Sequence, residues 1–171
     1  MLKNLLKKLF FLSCLILSFN IYAFDMNSMI EQGKIYYVFF NYNDPSTDFY
    51  IAITTGAKNE YLSIILNTQY NVKFEVWETA TWSSLGSYHQ PLNLNRNVSK
   101  NISIFFYDSP VSPSGNIIYE KYIATAGKYM ITGFVGSNFI ILRKNSNYII
   151  HLNYSSASIK TTTIEFYIYE K

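Results

Sequence analysis

The segment NVKFEVWE, residues 71–78, sets Val72, Phe74 and Val76 on one side of an extended chain and Lys73, Glu75 and Trp77 on the other. A strict period of two marks a strand with one face in a core. Runs of β-branched and aromatic residues recur along the chain. They are KIYYVFFNY (34–42), DFYIAITT (48–55), EYLSIIL (60–66), NISIFFYD (101–108), IIYEKYIA (117–124), KYMITGFV (128–135), FIILRK (139–144), YIIHLNY (148–154) and IKTTTIEFYIY (159–169). Turn signals such as NDPSTD (43–48), Ala126-Gly127 and NSN (145–147) separate them, each rich in residues that favour turns for local reasons. Only DMNSMIEQG (25–33) reads as helix, with Asp25 as cap and Gly33 as terminator. Helices do not alternate with strands, which excludes a doubly wound parallel sheet. The expectation is an all-β chain: an antiparallel β-sandwich, jelly-roll-like, of about nine strands.

Ahead of the strands lies a different text. Lys3, Lys7 and Lys8 precede an apolar run from Leu9 to Phe19, and the first acidic residue is Asp25. A basic start, a short apolar stretch and a small residue at the cut make a secretory signal peptide, too short for the roughly 20 residues of a spanning helix. The expected cleavage follows Ala23, giving a signal peptide over 1–23 and one domain over 24–171. A lipid anchor on Cys14 is the rival, but Phe11 and Leu12 are bulky where a lipobox turns small, and the apolar run continues through Leu15-Ile16-Leu17.

Losing the leader takes three lysines and no acid, leaving eleven basic and eleven acidic residues. The basicity of the whole chain is therefore a property of the leader. No clustered basic face points to nucleic acid. Without Cys14 there is no thiol, so disulfides, thiol catalysis and cysteine-ligated zinc are excluded together.

The middle, residues 79–100, is the irregular part, with Pro91 and many Ser and Asn, and reads as a long connection with one short strand near Trp82. Such loops lean towards function. Trp77 on the polar side of its strand, with Trp82, Tyr88 and His89 in the loop, forms the candidate ligand-binding set. Exposed Trp and Tyr beside Ser, Asn and Gln supply rigid amphipathic contact area for a sugar or a protein. The alternative is that the loop folds over a sheet edge and buries them.

From Asn101 to Tyr154 the chain resembles the β-sandwich domain of the pre-peptidase C-terminal type, found at the end of secreted bacterial peptidases. NISIFFYDSPVSPSGNII, ATAGKYMITGF with Gly127 and Tyr129, and NYIIHLNY with Tyr148 carry the resemblance. It implies an appendage-type binding fold and not proteolysis. Asn101 and Ser103 replace the family's Asp-x-Asp pair, so no calcium role carries over.

Chemistry-bearing residues are sparse. Alternation puts His151 opposite Tyr148, Ile150, Leu152 and Tyr154, on the solvent or interface side, and His89 has no acidic neighbour in sequence. Two histidines supply too few ligands for zinc. Asn43, Asp44 and Asp48 are oxygen ligands of a kind calcium accepts, but read as an ordinary turn. No nucleophile elbow and no spaced carboxylate pair marks an enzyme. The expectation is an exported, non-enzymatic module without metal or cofactor, recognising an envelope or extracellular protein or a glycan. A small outer-membrane β-barrel and a secreted hydrolase are the alternatives; against the barrel stand the uniformly short turns and the final YIYEK.

Overall fold

The computed structural model describes residues 26–44, 47–98, 102–132, 139–155 and 160–170. Cys14, the Ala23–Phe24 junction and Asn101 lie outside them. Helix α1 (Met26–Glu31) ends at Gly33, whose φ of +65° is the left-handed terminator the sequence called for. Asp25, its expected cap, is not among the described residues.

Among the described residues twelve strands follow, where about nine were expected. They are β1 (Ile35–Asp44), β2 (Asp48–Thr55), β3 (Glu60–Thr68), β4 (Val72–Thr81), β5 (Tyr88–His89), β6 (Leu92–Asn93), β7 (Ile104–Asp108), β8 (Ser114–Ile123), β9 (Gly127–Thr132), β10 (Ile140–Leu142), β11 (Asn147–Tyr154) and β12 (Lys160–Glu170). The surplus comes chiefly from β5 and β6, two-residue pairings inside the irregular middle that carry no periodicity of their own.

The strands make two antiparallel sheets. The first runs β10-β3-β12-β1-β6, with β9 on the same edge of β3 as β10; the second runs β5-β7-β2-β11-β4-β8. The chain crosses between them repeatedly: β1 and β3 lie in the first sheet, β2 and β4 in the second. The irregular middle walls one open side. Its β6 extends the first sheet beyond β1, while β5 and β7 extend the second beyond β2.

Facing sides fill one core. Val38, Phe40, Leu62, Ile64, Leu66, Ile164, Phe166 and Ile168 come from the first sheet, meeting Ile51, Ile53, Phe74, Val76, Phe106, Ile150 and Leu152 of the second. Each such side chain contributes roughly 1.5–3 kcal/mol by leaving water. The alternation read in β4 holds, with Val72, Phe74 and Val76 buried in this core. A filled, rigid sandwich leaves the outer faces and the open side to carry function.

Candidate binding face

The second sheet's outer side is built from residues one position out of step with the core. Along one rung, Tyr107 of β7 stands opposite Ala52 of β2, then Ile149 of β11 and Trp77 of β4. Ala52 and Ile149 are fully buried although they point away from the core. Tyr50, Trp77, Trp82 and Tyr107 cover them, together with Ala80. The sheet thus carries a second, small apolar layer in which large rings lie over small residues.

Local irregularity aims those rings. The β4–β8 register slips between Val76 and Trp77 and again between Glu78 and Thr81. Thr79 sits at a φ of +53°, a left-handed conformation unusual for a β-branched residue. Bulges of this kind re-aim side chains. Here Trp82, at the strand's exit, returns to the face that Trp77 occupies.

The next rung is polar. Tyr50, His151, Glu75 and Glu120 stand opposite one another across β2, β11, β4 and β8. His151 bridges two carboxylates, with Nδ1 at 2.7 Å from Glu75 Oε2 and Nε2 at 2.8 Å from Asp48 Oδ1. Only a ring protonated on both nitrogens donates to both at once. The Tyr50 ring stacks on the imidazole at 4.4 Å with an interplanar angle of 6°, and Trp77 meets its edge at 5.1 Å. Trp77 Nε1 donates to Glu75 Oε2 at 3.0 Å. Lys73 Nζ lies 2.6 Å from Glu75 Oε1 and 2.8 Å from Glu120 Oε2.

The electrostatics follow from these bonds. Burial pushes the Glu75 carboxyl up, but hydrogen bonds from Lys73, His151 and Trp77 outweigh it and hold the group below its ordinary value. Asp48 behaves likewise: burial raises it, and bonds from Asn153, His151 and Thr47 prevail. Both are carboxylates at neutral pH, clamped by donors from neighbouring strands. Both nitrogens of His151 and both oxygens of Glu75 are satisfied within the protein, and they hold Tyr50 and Trp77 against the imidazole.

The four sequence-chosen residues divide. Trp77 and Trp82 are half-buried on this face, where they cover Ala52, Ala80 and Ile149 of the sheet rather than a sheet edge. Tyr88 is exposed in β5, its ring 5.6 Å from Tyr107 and so continuous with the same face. His89 turns away. It packs on Phe40 at 4.4 Å, and its Nε2 lies 3.0 Å from Asp108 Oδ2, an acidic partner nineteen residues away in sequence.

Asp108 seats this stretch. Its Oδ1 accepts from the Ser87 amide at 2.7 Å and its carbonyl from the Gly86 amide at 3.1 Å. A Cβ on Gly86 would lie 2.1 Å from that carbonyl, so only glycine fits the approach.

One expectation is overturned. His151 occupies the face that alternation assigned, but it is buried, 7% exposed, and not solvent-side. Tyr50, Trp77 and the two carboxylates enclose it. The residues missed, Tyr50, Tyr107, Asp48 and Glu75, sit on three other strands, and nothing in sequence shows that those strands are neighbours. Among the described residues no group of three or more His, Cys, Asp or Glu is arranged to hold a metal ion. Asn43 accepts from Thr161, and Asp48 pairs with His151.

No family model matches the chain, and no curated protein matches it.

Proposed function

We propose that this chain is an exported, non-enzymatic β-sandwich module that binds a neutral glycan on the outer face of its second sheet. The carrying observation is the run of rings Tyr88, Tyr107, Tyr50 and Trp77 across β5, β7, β2 and β4, of which Tyr50 and Trp77 are held by the Glu75–His151–Asp48 bridge. Sugar rings present apolar faces that stack on such aromatic surfaces. The sheets' strand order, β1-β12-β3-β9/β10 against β2-β11-β4-β8, supports a jelly-roll reading, an architecture that lectin domains use. That is a fold-level analogy, as is the resemblance to pre-peptidase C-terminal domains, and both fit a binding appendage.

Export rests on the leader over 1–23. The non-enzymatic reading is supported by the state of the ionisable groups. Glu60, the carboxyl pushed furthest up, is fully buried, and the carboxylates on the binding face are tied into ion pairs. A membrane barrel needs a closed sheet with a polar interior. Two open sheets around an apolar core speak for the sandwich reading instead.

The test is calorimetric titration of the purified protein with neutral oligosaccharides chosen from a glycan array. Tyr50→Ala and Tyr107→Ala are each expected to weaken binding by about 1–3 kcal/mol, the scale of an aromatic hot spot. No binding across the array, or affinities indifferent to both substitutions in proteins that melt normally, would overturn the reading.

A further inference from the structure

A second surface lies at the open side of the sandwich, where the irregular middle turns from β5 to β6. Tyr37, Val38, Phe39, Tyr88, His89, Gln90 and Leu92 line an open pocket of about 340 Å³. Large exposed hydrophobics gather around it. Phe39 is 46% exposed, Tyr88 48% and Leu92 62%, and Phe105 lies against Tyr88 with ring centroids 6.1 Å apart. Contiguous exposed apolar surface of this kind marks an interaction site. The lining contains no Asp, Glu, Lys or Arg, so it offers a charged ligand no counter-ion.

The backbone beside the cavity narrows the choice of occupant. β1 pairs with β12 along its whole length, but on its other side β6 covers only Tyr36 and Tyr37. Among the described residues no strand pairs with Val38–Asn43 on that side. The edge opens where Val38 and Phe39 form the cavity wall. A six-residue strand edge presents amide and carbonyl groups over roughly 20 Å, and the complement of such a row is another extended chain.

We infer that this edge receives an extended, uncharged polypeptide segment, which adds as a strand to β1 and drops one bulky apolar side chain into the cavity. Main-chain hydrogen bonds supply the affinity and the cavity supplies the selectivity, as in other strand-addition complexes. The site meets the proposed sugar face at Tyr88 of β5, which belongs to both; the rest of its lining comes from β1, the β5–β6 turn and β6, whereas the sugar face continues across β7, β2 and β4.

The experiment uses the purified full chain and an array of acetylated, amidated hexapeptides that alternate Thr with Phe, Tyr, Leu, Ile or Val. Saturable binding is expected, with slowed amide exchange at Val38–Asn43 in the complex. N-methylating the alternate peptide amides that face β1 should weaken binding at least about tenfold, while methylating the other set is tolerated; tenfold is the scale of one lost anchor. Leu92→Lys, at a position exposed enough to leave the fold intact, should do the same with an unchanged melting temperature. An array without binders, N-methylation without effect, or exchange rates unchanged along β1 would overturn the proposal. So would concentration-dependent dimerisation through β1 in the absence of peptide, because a second copy would then be the occupant.

Discussion

Glu60 opens β3 on its inner side, directly opposite Glu170 of β12. It is fully buried; Ser103 Oγ reaches Oε1 at 3.4 Å, and Oε2 has no hydrogen-bond partner among the described residues. Burial first, then the charge of Glu170, pushes this carboxyl up from 4.5 to about 8, against weaker opposition from Ser103 and Lys58. At neutral pH the folded protein therefore holds Glu60 as the neutral acid, while the unfolded chain ionises it. The contribution to stability is complete below pH 4.5 and is lost as pH rises through 8.

From 4.5 to about 8, at about 1.4 kcal/mol per pH unit, the ceiling is about 5 kcal/mol. Glu170 sits at the rim of the core, salt-bridged at 2.9 Å to the half-exposed Lys58, so solvent screening reduces the expected loss to about 2–3 kcal/mol. Glu60→Gln keeps the shape and removes the titration. Urea unfolding of both proteins from pH 4.5 to 9 measures the difference, and groups common to both cancel. The variant should gain on the wild type steadily across this range and end about 2–3 kcal/mol ahead. Parallel curves, or a gain that shrinks as pH rises, would refute the reasoning.

Three further outcomes follow from the second sheet. Asp48 and Glu75 lie below their ordinary values of 3.8 and 4.5, so their contribution is present above those values and lost as pH falls through the lower folded ones; Asp48→Asn should flatten the acid limb of a stability–pH curve whose wild-type maximum falls near pH 4–5. Phe74→Ala should cost about 3–5 kcal/mol as a cavity in the core, while Lys73→Ala costs clearly less; equal melting temperatures would mean the β4 register is wrong. Trp82→Ala, uncovering Ala52, Ala80 and Ile149, should lower the melting temperature, and an unchanged value would show that the ring contributes no cover.

How much of this was legible depended on whether the signal was local. Alternation in NVKFEVWE placed Phe74 in the core and Trp77 outside it, because side-chain direction in a strand depends on nothing but its neighbours. The same rule put His151 on its true face but mistook that face for solvent. Burial there is created by Tyr50 and Trp77 from other strands, and pairing partners a hundred residues apart leave no mark in a single sequence. β5 was missed for a related reason: two residues have no period, and what holds them is the Asp108 side chain on β7.

The polar bridge beneath the rings is hard to explain as a source of stability. Taking the His151 imidazole and the Glu75 carboxylate out of water costs several kcal/mol, and apolar residues of similar size commonly do as well or better. What the bridge does uniquely is fix geometry. His151 ties β2 to β4 through β11, Tyr50 is held flat on its ring, and Trp77 is pinned by its indole nitrogen to Glu75. A ring ordered beforehand loses less freedom on meeting a ligand, a saving of about 0.5–1.5 kcal/mol for each side chain that would otherwise be immobilised. His151→Leu separates the two roles. If the bridge serves geometry, ligand affinity should fall further than Tyr50→Ala alone accounts for, because both rings lose their support. If it serves only stability, the melting temperature should drop while affinity per folded molecule stays at the wild-type value, and the account of the face as a pre-ordered surface would fail.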